Sequence, residues 1–157
     1  MTDRDTNNNS VIWPAGTISG FFTASGHGNP DEKPFRHPAV KVSFHGGKGE
    51  DNNLVGMLDT GADLCTIDQG LADRLDLEDG GEMPVILAGH KSVRIMKKGT
   101  ILLAGHEYTL SGKFSAAPLR ESGNQYDILL GMDFLRHFSL YVNAKTDEVK
   151  ITFLGID

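Results

Sequence analysis

The run from Leu54 to Ile67, LVGMLDTGADLCTI, places Asp59-Thr60-Gly61 between two apolar segments. Leu54, Val55, Met57 and Leu58 lead in, and Leu64, Cys65 and Ile67 lead out. Such a chain leaves one buried strand, turns through an acid and a glycine, and re-enters the core at once. A carboxylate at that junction is costly unless it is paired or hydrogen-bonded. Gly61 suits a tight turn, and the Thr60 hydroxyl can bond nearby backbone. The segment is either an ordinary loop holding an aspartate or a carboxylate fixed at the floor of a cleft.

The flanking pattern is that of strands. Val40, Val42 and Phe44 alternate with Lys41, Ser43 and His45, the period of a half-buried strand. GGKGEDNN, residues 46–53, reads as a turn, and LVGMLD returns as the second arm of a hairpin ending at Asp59. In residues 68–81, Asp68 is a candidate N-cap, Leu71 and Leu75 are four apart, and Gly80-Gly81 is a stop, which predicts a short helix. MPVILAGHKSVRIM (83–96) reads as a hairpin with an exposed tip at Ala88-Gly89-His90-Lys91, and 100–118 as a further strand pair. In 126–153, an apolar strand breaks at Gly131, a short helix follows, and a last hairpin turns at NAKTDE. Residues 1–10 read as a disordered polar tail and 11–35 as an N-terminal extension with strand-like runs near Val11–Trp13 and Ile18–Thr23. With 157 residues and 19 glycines, this predicts one mostly-β domain with one or two short helices.

Composition removes several function classes. The net charge is −6 and no Lys/Arg-rich run occurs, which argues against nucleic acid. No apolar run approaches the ~20 residues of a membrane helix. The N-terminus has no apolar signal-like core, and the single Cys65 suits a reducing compartment, so a cytoplasmic protein is expected. HEYTL, from His106, lacks the second histidine of a zinc-protease helix, and the six histidines (27, 37, 45, 90, 106 and 137) show no ligand spacing. Cys65, flanked by apolar residues, reads as an inert core thiol.

Two motifs in order then carry a resemblance: LDTGAD at 58–63, and ILLGMDFL at 128–135, about 70 residues later. Together they resemble the retropepsin-like aspartic proteases, the single-lobe family of retroviral proteases and their cellular and bacterial relatives. The match runs over about residues 36–155, and LGMDFL is nearer the cellular form. The resemblance implies an all-β, closed β-barrel over 36–157 with a flap hairpin tipped by Gly89. It implies Asp59 as the catalytic acid in an active-site loop of Thr60, Gly61 and Ala62. Gly61 and Asp63 would grip an extended peptide, with Ile86, Leu87, Gly89 and Val93 as flap and wall positions.

Aspartic proteolysis needs two carboxylates sharing a proton, and this chain carries one Asp-Thr-Gly. The resemblance therefore implies a homodimer with Asp59 of each protomer at the two-fold axis, Thr60 bonding across it, a polypeptide substrate, and no metal or organic cofactor. Ala62 has no hydroxyl to support the charged form of the pair, which favours a mildly acidic to near-neutral optimum. The alternative is a non-catalytic dimeric peptide-binding module of the same fold. A third reading is a structural β-domain in which the motif is coincidental.

Overall fold

The computed structural model describes residues 12–26, 31–103 and 108–156. The tail expected over 1–10 lies outside the described residues, as do His27 and the start of HEYTL. The described elements are β1 (Thr17–Ser19), β2 (Phe21–Ala24), β3 (Arg36–Gly46), β4 (Gly49–Leu58), β5 (Thr66–Asp68), α1 (Gln69–Arg74) and β6 (Asp79–Leu87). They continue with β7 (His90–Leu103), β8 (Thr109–Ala117), β9 (Ile128–Leu130), α2 (Met132–Leu135), β10 (Phe138–Asn143) and β11 (Glu148–Phe153). The fold is all-β with two short helices.

The strands form two sheets, one ordered β2-β3-β4-β9-β5-β8-β7-β6 and one ordered β1-β11-β10. In the larger sheet β3 also pairs with β7, through Val42↔Leu103 to His45↔Thr100. That pairing closes β3-β4-β9-β5-β8-β7 into a six-stranded ring. Residues 17–24 add a strand to each sheet, β1 against β11 and β2 against β3.

The inward face of β3 is set by its alternation: Val40, Val42 and Phe44 are fully buried while Lys41 is exposed. Phe44 meets Phe114 edge-to-face at 5.7 Å across the barrel. The ring of Phe44 lies where a side chain at 99 would go, since a Cβ on Gly99 would fall 2.2 Å from its Cζ. A second aromatic group ties α2 to the smaller sheet. Phe134 stacks on Phe138 at 5.0 Å, and Tyr108 meets both rings edge-on at 5.2 and 4.9 Å.

Two local expectations are corrected. Residues 46–53 are not all turn: Gly46 pairs with Gly49 around Gly47-Lys48, and Glu50 to Asn53 belong to β4. Their polar side chains suit the exposed stretch of that strand, where Asp51 accepts from the Asn53 N–H and from Arg74. The first helix ends at Arg74 with Leu75 as C-cap, well before Gly80-Gly81. Asp76 takes the left-handed position (φ 48) that glycine usually fills. The Leu77 N–H donates to the Ala72 carbonyl and the Asp76 N–H to the Asp73 carbonyl, a Schellman closure. The β3–β4 tip then covers the end, with the Lys48 N–H donating to the Leu75 carbonyl and Lys48 Nζ 2.6 Å from Asp76. Gly80 and Gly81 lie inside β6, where a register shift falls.

One topological feature positions the Asp59 segment. β4 and β5, consecutive in the chain, do not pair with each other. β9 lies between them, parallel to β4 through Gly56↔Ile128 to Leu58↔Leu130 and antiparallel to β5. The loop 59–65 therefore crosses the end of β9.

Candidate active site

Asp59 follows directly on β4, and its N–H donates to the Leu130 carbonyl at 2.9 Å, extending the pairing with β9 by one residue. The chain then turns. The Gly61 N–H donates to Asp59 Oδ1 at 2.9 Å and the Ala62 N–H to the Asp59 carbonyl at 3.3 Å. This is the side-chain-to-backbone turn that aspartate favours. The carboxylate is thus held by its own loop at a half-buried position, while Thr60, Gly61 and Asp63 are exposed. Among the described residues the Thr60 hydroxyl makes no hydrogen bond. Gly61 does not occupy the left-handed region expected of a turn glycine. What it supplies is room, because a Cβ there would sit 3.2 Å from Asp59 Oδ1.

The floor of the loop is the β9–α2 junction. The Met132 N–H donates to the Ala62 carbonyl at 2.7 Å and the Asp133 N–H to the Asp63 carbonyl at 3.0 Å. Gly131 lies against the loop so closely that an added Cβ would be 2.6 Å from the Leu64 carbonyl oxygen. Cys65 is fully buried, and its thiol donates to Asp133 Oδ1 at 3.0 Å. Burial first, and then the Asp133 carboxylate, push the thiol well above its ordinary range, so it stays protonated and inert.

Sequence reading passed over Tyr126. It is buried with Met57 and Leu119, and its phenol is raised first by burial and then by the charge of Asp59. The next residue, Asp127, accepts from the Val55 N–H at 2.8 Å and from Arg120 Nε and Nη2 at 2.8 and 3.0 Å. No local pattern flags Tyr126; its place comes from the pairing of β9 with β4.

The β6–β7 hairpin turns at Ala88 (φ 47) and Gly89 (φ 81), the left-handed pair of a two-residue hairpin turn. Its exposed tip matches the expectation for Gly89. Pairing puts Pro84 opposite Val93, Ile86 opposite Lys91 and Glu82 opposite Ile95, so these residues share one face. Ile86, Val93 and Ile95 are 73, 57 and 56% exposed, an apolar surface with no partner among the described residues. Leu87 pairs with His90 and points to the other face. The structure therefore groups Ile86 with Val93 and separates Leu87 from them. Ile95 joins the group, which the alternation from Val93 could have signalled. Along β7 the same alternation leads to Ile101 and Leu103 in the barrel core. Among the described residues, no hydrogen bond joins this hairpin to the Asp59 loop.

Two cavities, of about 550 and 420 Å³, open elsewhere. The first lies around Gly46, Gly99 and Lys113, and the second around Ile18, Tyr108 and Phe153. Asp59 lines neither. Among the described residues, no group of three or more His, Cys, Asp or Glu could hold a metal ion, and no helix is long and apolar enough to cross a membrane.

No family model and no curated protein matches the chain. Solved structures do. An EIAV protease complexed with the inhibitor HBY-793 is 21% identical, with a TM-score of 0.45 over 70% of this chain and 92% of that one. A retropepsin-like aspartic protease from Rickettsia conorii is 16% identical, with a TM-score of 0.46 over 89% and 96%. The retroviral protease-like domain of Ddi1 from Leishmania major is 14% identical, with a TM-score of 0.41 over 74% and 94%. Two of these neighbours are proteases and the third is a retroviral protease-like domain.

Proposed function

We propose that this chain is an aspartic endopeptidase that works as a homodimer, with residues 36–157 as its catalytic domain. The observation that carries the reading is the Asp59 loop. One carboxylate per protomer is held at a half-buried position by the Gly61 N–H, on a loop bonded to β9 and α2. Two such loops across a two-fold axis make the dyad. One ionised Asp59 takes a proton from water as the water oxygen attacks the peptide carbonyl, and the other, protonated, donates to the carbonyl oxygen. As the tetrahedral intermediate collapses, the C–N bond breaks and a dyad proton goes to the leaving amine.

In this reading the exposed Thr60 bonds across the axis, and the Gly61 backbone and the Asp63 side chain hold an extended peptide. The 83–96 hairpin closes over it, its apolar face toward the substrate and water excluded. The buried, protonated Cys65 is compatible with a cytoplasmic location. The exposed apolar hairpin face and the edge position of β6 also suit a module that binds an extended segment without cutting it. Incubation of the purified protein with an unfolded substrate protein separates the two: retention without new termini leaves the binding module.

Two expected outcomes follow. Below the dimer dissociation constant, the cleavage rate scales with the square of protein concentration, because neither protomer alone holds a dyad. Activity strictly proportional to concentration, in samples shown by sedimentation to be monomeric, rejects the dimer. Ile86→Ala and Val93→Ala raise KM for a peptide substrate about five-fold each, corresponding to about 1 kcal/mol of lost apolar contact. Leu87→Ala, on the opposite face, leaves KM within about two-fold. Steady-state kinetics on the three variants is the check, and an equal rise in all three removes the assignment of that face.

A further inference from the structure

We infer that Asp133 is a positioning residue for Asp59, acting through the thiol of Cys65. The inference rests on the protease reading for its kinetic test but has a second test that does not. Residues 130–133 meet the loop in sequence. The Leu130 carbonyl takes the Asp59 N–H, the Met132 N–H reaches Ala62, and the Asp133 N–H reaches Asp63. These contacts are main chain to main chain. The side-chain hydrogen bond in the set joins Cys65 to Asp133 at 3.0 Å, at the far end of the loop from Asp59. Asp133 thus holds the loop twice, by backbone at residue 63 and by carboxylate at residue 65.

The carboxylate is itself fixed. Asp133 Oδ1 also accepts from the Phe134 N–H at 2.9 Å, and Phe134 is locked in the aromatic cluster with Tyr108 and Phe138. Cys65 is fully buried, so its donor has no water to turn to. Burial strengthens such a bond and makes its loss costly. With the thiol link cut, the re-entry end of the loop loses its side-chain hydrogen bond to α2. The Asp59 carboxylate then samples more positions around its Gly61 contact, and a displacement of about 1 Å at a reacting group costs up to roughly a hundred-fold in rate.

The test compares Cys65→Ala and Asp133→Ala, which cut the link, with Cys65→Ser, which keeps a donor. Positioning predicts a kcat loss of roughly ten- to a hundred-fold in the first two, with KM within about two-fold. The double variant costs less than the two singles combined, since each already cuts the Cys65–Asp133 bond, and Cys65→Ser restores most of the rate. Equal kcat in all variants well below their melting temperatures overturns the inference. Amide hydrogen exchange of residues 59–65 against 69–74 gives a readout that needs no cleavage. Several-fold faster exchange confined to the loop in Cys65→Ala, and its reversal in Cys65→Ser, supports the inference; unchanged loop exchange overturns it. If the parent protein cuts nothing, the protease reading fails by itself and the exchange result still decides the role of Asp133.

Discussion

Asp59→Asn is expected to lower peptide cleavage by roughly 10²–10⁴-fold, the usual contribution of a positioned acid or base. It is expected to leave the fold unchanged. The described Asp59 side-chain hydrogen bond is the one from the Gly61 N–H, and an asparagine Oδ1 accepts that bond equally well. The bond from the Asp59 N–H to the Leu130 carbonyl is backbone and survives. In a dimer the substitution also replaces the two facing carboxylates by neutral amides, which removes the repulsion that opposes ionisation of both. The measurements are a cleavage time course, a thermal melt and sedimentation on parent and variant side by side. Undiminished turnover ends the protease reading.

The second large effect is expected at Gly131. Its backbone, φ −87 and ψ −172, is open to any residue, so torsional freedom is not what the position requires. Space is. A Cβ would lie 2.6 Å from the Leu64 carbonyl oxygen, 2.7 Å from the Leu64 carbonyl carbon and 2.9 Å from the Ala62 carbonyl oxygen. All are backbone atoms that cannot rotate aside. Gly131→Ala must therefore lift the loop or push β9 away, at the expense of the bonds Met132 and Asp133 make to Ala62 and Asp63. Overpacking of this kind costs about 1–3 kcal/mol. For a chain of 157 residues that is a fall of about 2–12 °C in melting temperature. The loop displacement should also cost roughly a hundred-fold in kcat. Gly112→Ala is the control: it sits in the exposed part of β8, and an added Cβ meets nothing within 4 Å. A Gly131→Ala protein with parental stability and rate would show that the loop is not seated on that glycine.

The sequence made the centre of this picture readable because its signals are local. Val40, Val42 and Phe44 alternate as a strand, the apolar run before Asp59 ends β4, and the run after it leads into β5. Gly131 separates β9 from α2, and the last hairpin turns over residues 144–147 as its polar run suggests. What stayed hidden depends on distant partners or on an unusual residue in a familiar role. Asp76 ends α1 in a conformation usually given to glycine, and the Lys48 tip completes that end from another hairpin. Glu50 to Asn53 look like turn residues because their side chains are polar, but they lie in β4, with Glu50 and Asp51 paired to β3 and Asn52 and Asn53 at a register shift. Tyr126 comes within the field of Asp59 through pairing between strands some 70 residues apart, beyond any local period. That Ile86, and not Leu87, shares a face with Val93 depends on hairpin register, which the turn geometry at Ala88-Gly89 fixes.

The insertion of β9 between β4 and β5 governs when the site can exist during synthesis. A growing chain finishes residues 49–68 long before it finishes 128–133, and until then β4 and β5 have no strand between them. Closing so distant a contact is slow, because the intervening chain must be ordered before the pairing rewards it. The loop at Asp59 thus acquires its floor only when β9 and α2 arrive. A ribosome-bound chain short of residue 128 carries the acid without the seat that aims it, and two strand edges open to mispairing.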